Sequence, residues 1–189
     1  MNNGCKPRQQ RRFTMLMAAL VLVAVNPCQA TEADDSYHQR QIHESDFPAN
    51  GPRWSQYPAP VYHGRYAPIQ LKRSDMVFKT RLRAMAGDPP NFAGHYNLAV
   101  WGCGYACLIV RIIDVQTGRV VSTNPVDYVN FDHVASELLD ASERWPGIGP
   151  VKFRADSRLL VLLGMPNENT KLHGISYYEM RDGRLQLLR

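Results

Sequence analysis

The chain has 189 residues, 44% of them hydrophobic, and a formal charge of +5. That length supports one domain with a single modest core. The charge is concentrated at the front: residues 1–30 hold four basic side chains and no acid, so the remainder carries 18 Lys and Arg against 17 Asp and Glu, a net +1. A near-neutral remainder removes the electrostatic motive for nucleic-acid binding.

Lys6, Arg8, Arg11 and Arg12 precede an unbroken apolar run from Met15 to Val25, which Asn26-Pro27 interrupts before Cys28-Gln29-Ala30. Eleven apolar residues are too few to span a bilayer as a helix. A basic region, a short apolar region and small residues at the two positions a signal peptidase reads predict a secretory signal with cleavage after Ala30. Cys5 and Cys28 leave with it, and Cys103 and Cys107 remain. Beyond the signal no membrane span is expected.

Residues 31–70 form a Pro-, Tyr- and His-rich stretch with neither a strand nor a helix period. An extended arm is expected there, disordered at its start and draped on the domain through its aromatics. Its histidines, His38, His43 and His63, have no compact metal-site spacing. Ser74 as cap, Asp75 in the first turn and the pattern Val77, Phe78, Leu82, Met85 predict a helix that Gly87 and Pro89-Pro90 stop, with Lys79, Arg81 and Arg83 on its solvated side. Strands are predicted over 92–101, 107–114 and 119–123 as an antiparallel meander. Asp132 could cap a short helix through Val134, Leu138 and Leu139. Strands resume at 151–154 and 159–163, and 174–180 with 184–188 reads as a hairpin across Arg181-Asp182-Gly183. Residues 71–189 are thus expected to form one α+β domain: an antiparallel or small barrel-like sheet of six or seven short strands with one N-terminal helix.

Cys103 and Cys107 bracket Gly104-Tyr105-Ala106. Three intervening residues and a following strand fit neither the usual metal or redox spacing nor a thiol activated by a helix N-terminus. In an oxidising compartment the pair reads as a structural disulfide that staples a hairpin. The candidate binding residues are Tyr105 at the tip, Trp101 beside it, and His95 and Asn97 on the polar face of the first strand. A rigid aromatic tip loses little entropy on docking. No serine elbow, Walker loop, dinucleotide fingerprint or metalloprotease motif occurs, so no catalytic residue, metal or cofactor is assigned. The alternatives are a thiol-redox protein or hydrolase using His95 with the cysteine pair, and an envelope-assembly accessory using the arm.

The run Asn91-Phe92-Ala93-Gly94-His95-Tyr96, with Trp101-Gly102-Cys103-Gly104 and Cys107, is similar to a family of small uncharacterised exported proteins of Gram-negative bacteria. Asp156-Ser157-Arg158-Leu159-Leu160 and His173-Gly174 with Tyr177-Tyr178 extend the resemblance over roughly residues 72–188. It implies periplasmic residence and supplies no catalytic residues. A looser analogy is to periplasmic lysozyme inhibitors, which also present a disulfide-bracketed loop, but a charged one containing histidine. The rigid tip and the missing catalytic motif read as a periplasmic binding or inhibitory protein of unknown partner, with a cell-wall hydrolase or a toxin as candidates.

Overall fold

The longest apolar run of the domain becomes its central strand. In the computed structural model, which describes residues 40–121 and 123–188, all eight residues of β7 (Leu159–Pro166) are buried. The expected signal peptide and residues 31–39 of the arm lie outside the described residues. A strand buried on both faces needs apolar side chains throughout rather than alternation, and Leu159-Leu160-Val161-Leu162-Leu163 supplies them.

β7 pairs antiparallel with β6 (Val151–Phe153), with β8 (Gly174–Arg181) and, through its last residues, with β4 (Tyr128–Asn130). β4 in turn pairs with β2 (Cys107–Asp114), which pairs with β1 (Tyr96–Gly104) and with the two-residue β3 (Val120–Val121). β5 (Gly147–Ile148) extends β6, and β9 (Arg184–Leu187) extends β8. All nine named strands are antiparallel to their neighbours. The sheet curls into a nearly closed barrel around Tyr96, Leu98, Val110, Ile112, Leu160, Leu162 and Tyr178. Burying each such aliphatic side chain contributes roughly 1.5–3 kcal/mol. The α+β expectation holds. Strands β4 and β5 are additions to the predicted set, each too short to leave a period of its own.

Two external layers complete the packing. Phe78, Leu82, Met85 and Ala86 cover Ala99, Trp101, Ile113 and Val120 on the outer face of β1, β2 and β3. The helix is shorter than its predicted extent: residues 73–78 form a 3₁₀ turn, and α1 runs only over Lys79–Met85. The turn starts where the Lys72 N–H donates to the Asp75 carboxylate (2.7 Å), so Asp75 and not Ser74 caps the segment. Val77 points into solvent, 82% exposed. In the 3₁₀ turn it lies about 120° round the axis from Phe78, the first residue of the Phe78–Leu82–Met85 stripe that meets the sheet.

The second layer is the arm. Ile42 bridges Val134, Pro58 bridges Ser157 and Gln70 bridges Arg119. Ile42, Phe47, Trp54 and Tyr57 pack over Leu159, Val161, Leu163 and Tyr177 on the outer face of β7 and β8. The helix predicted after Asp132 is reduced to a single 3₁₀ turn, Ser136–Leu138. Val134 and Leu138 are buried against the arm, so the apolar spacing there reflects contact with residues far away in sequence.

Candidate functional site

Strands β1 and β2 are continuous partners from Tyr96 opposite Asp114 to Gly104 opposite Cys107. Alternation splits β1 into two faces. Tyr96, Leu98 and Val100 enter or border the barrel, while Asn97, Ala99 and Trp101 face α1. Trp101 is 8% exposed and lies against Phe78 (centroids 5.4 Å), with the Arg81 guanidinium 5.9 Å from its ring centre. Asn97 is buried, and its Nδ2 donates to the carbonyls of Met85 (3.1 Å) and Asp88 (3.4 Å). Those carbonyls lie at the end of the helix, where intrahelical donors run out. Both residues are committed to holding the helix on the sheet.

Beyond Trp101 the hairpin leaves the body of the protein. The register slips between Gly102 and Gly104, leaving Cys103 in a bulge, and Cys103 is bonded to Cys107 with Cα atoms 5.2 Å apart. Ala106 takes a left-handed backbone (φ 44°), a conformation costing a non-glycine residue roughly 1–2 kcal/mol. Its carbonyl accepts the Phe131 N–H at 2.8 Å, which ties the turn to the segment after β4. Tyr105 is 87% exposed, and a Cβ placed on Gly102 or Gly104 would touch nothing within 4 Å. The tip is thus fixed by covalent and hydrogen bonds at its base while its aromatic ring stands in solvent. The turn after β5 lies beside that base. Leu108 approaches Gly149 closely, and Ile148 is 44% exposed.

His95 sits at the other end of β1. Ten residues separate it from Tyr105, roughly 30 Å along a strand. It lines a cavity of about 380 Å³ between the start of β1 and the β8–β9 hairpin, its ring 4.1 Å from that of Tyr96. The cavity wall is charged. Glu179, 2% exposed, accepts from Arg158 Nε (3.1 Å) and Arg181 Nη2 (2.7 Å), and Arg158 Nη1 also donates to the Pro58 carbonyl. A buried carboxylate requires such partners, and Arg158 also ties the arm to β8 through Pro58. Burial raises the Tyr96 phenol above its usual range, and the Asp114 and Asp182 carboxylates add to the effect. No serine, threonine or cysteine lines this cavity.

No family model matches the chain, and neither does any curated protein or solved structure. Of the four candidate residues only Tyr105 is displayed; Trp101 and Asn97 lie beneath the helix and His95 faces a separate cavity. The ion-pair cluster on Glu179 had one signal in the sequence: a single acid inside the otherwise apolar Tyr177-Tyr178-Glu179-Met180. Among the described residues, no three His, Cys, Asp or Glu side chains are placed to hold a metal ion, and no helix is long and apolar enough to cross a membrane.

Proposed function

We propose that this protein is an exported binding or inhibitory protein that docks on a protein partner in the bacterial cell envelope through the stapled β1–β2 tip. The observation that carries this reading is the 87% exposure of Tyr105 on a turn whose two ends are covalently joined. An exposed aromatic on a flexible loop would lose conformational entropy on docking. On this turn most of that loss is already incurred, so contact area converts more fully into affinity. Trp101 is the buried footing of the hairpin. The half-exposed Ile148 extends the apolar contact beside its base. Export to the periplasm rests on the basic and apolar character of residues 1–30, and the disulfide accords with an oxidising compartment.

The partner is sought by pull-down from envelope extracts with wild type and Tyr105→Ala. The reading expects a protein retained by wild type and lost with the variant; equal recovery of every protein by both sinks the tip as a docking site. N-terminal sequencing of the chain from the periplasmic fraction tests cleavage after Ala30. The thiol-redox alternative is decided separately. A Cys103–Cys107 bridge that stays oxidised in mild thiol buffer excludes it, and ready exchange would favour it.

A further inference from the structure

The sequence assigns no binding role to the arm's Phe47 and Trp54 or to the Glu143-Arg144-Trp145 loop, and these residues come together around one cleft. It measures about 490 Å³ and lies between the arm and residues 143–145, with Tyr177 of β8 in its wall. That volume falls in the range of small-ligand sites. We infer that this cleft binds a saccharide, with the aromatic walls taking the apolar face of a sugar ring and Arg53 and Glu143 taking its hydroxyls.

The aromatic part of the wall is built and rigid. Trp145 stacks on Phe47 (centroids 4.1 Å, 22° between planes), meets Trp54 edge-on (5.8 Å) and carries the Arg144 guanidinium 5.5 Å from its ring centre. Trp54 Nε1 donates to the Arg144 carbonyl at 2.9 Å, locking the arm to the loop. The loop is anchored from below by the fully buried Lys152, whose Nζ donates to the Asp140 carbonyl. Aromatic surface held in this way presents apolar area without paying to order it.

The polar part decides the ligand class. Arg144 is paired with Glu44 (2.7 Å), and Arg154 with Asp156 (2.8 Å). Arg53 and Glu143 make no ion pair and no side-chain hydrogen bond among the described residues. Three guanidiniums are thus balanced by three carboxylates in and around the cleft. It has no net positive charge with which to select a phosphate or other small anion. Its wall offers an unpaired donor, Arg53, and an unpaired acceptor, Glu143. A sugar hydroxyl both donates and accepts and so matches such a set. A polyproline segment, which also favours aromatic grooves, offers carbonyl acceptors only.

Purified protein is titrated with tri-N-acetylchitotriose, cellotriose and maltotriose, and in parallel with decaproline and inorganic phosphate. Tryptophan fluorescence and calorimetry are the readouts, since two of the three tryptophans line the cleft. The inference expects saturable binding of at least one oligosaccharide, weakened at least about tenfold by Arg53→Ala and by Glu143→Gln, and unchanged by Tyr105→Ala. Arg53 and Glu143 are exposed, so circular dichroism should show both variants folded. No saturable response to any of the three sugars, equal affinity in both cleft variants, or tighter binding of decaproline or phosphate would each overturn it. The Tyr105→Ala arm keeps this outcome independent of the docking proposal.

Discussion

The two ends of β1 use the same local device and come to opposite ends. At Ala93-Gly94 and again at Ala106 the chain turns through a left-handed alanine, with φ of 45° and 44°. The first turn is buried, and every polar backbone group around it needs a protein partner. Ala93 N–H donates to the Ser157 carbonyl (3.1 Å), Gly94 N–H to Ala155 (2.7 Å), and the Gly94 carbonyl accepts from Tyr62 (2.9 Å). It clasps the arm and the β6–β7 turn to the sheet. The second turn stands in water, which satisfies its groups without help from the fold. Its fixity comes instead from the Cys103–Cys107 bond and one hydrogen bond to Phe131. A turn with the first set of bonds is a structural joint, and one with the second is a display.

That contrast predicts a graded series of losses. The deepest cut is at the footing of the displayed turn: Trp101→Ala removes a large side chain from under α1 and should cost about 3–5 kcal/mol in urea unfolding. Next comes the buried joint. A Cβ on Gly94 would lie 2.5 Å from the Pro60 carbonyl oxygen with φ at +84°, so Gly94→Ala should cost about 2–3 kcal/mol by combining backbone strain with a clash that no rotamer relieves. Replacing both cysteines by serine releases a very short loop and should cost about 2 kcal/mol by chain entropy. Gly104→Ala tests the contrast directly. Its φ is also positive (147°) but its Cβ meets nothing, so only strain remains, about 1 kcal/mol. Tyr105→Ala should shift stability by less than about 0.5 kcal/mol, so any loss of partner binding in that variant reads out contact and not unfolding. Equal costs for Gly94→Ala and Gly104→Ala would break the distinction between joint and display.

Legibility in the sequence followed the same division. The β2 limits at Cys107 and Asp114 coincide with those predicted, because a hairpin bounded by glycines and an alternating apolar strand are local signals. The helix was visible from its apolar stripe, but its first turn and its cap were not, because Asp75 and Ser74 are equally good capping residues on paper. β4 leaves no signal of its own in the sequence. Its three residues pair with β2 on one side and β7 on the other, and neither partner is near in sequence. His95 and Tyr105 were grouped through their nearness in the chain, which a straight strand converts into distance. The cleft was invisible for the converse reason, since about ninety residues separate Trp54 from Trp145.

By itself, then, the sequence determined the α+β class, the antiparallel hairpins and the pairing of two cysteines close enough to leave no other economical bond. These follow from periodicity, turn chemistry and short loops, all of which act within about ten residues. Only the tertiary structure decided which aromatics are footing and which are displayed, that Asn97 closes a helix rather than faces a ligand, and that an arm without a period of its own becomes one wall of a cleft. Burial depends on what arrives from elsewhere in the chain, and no local pattern specifies that.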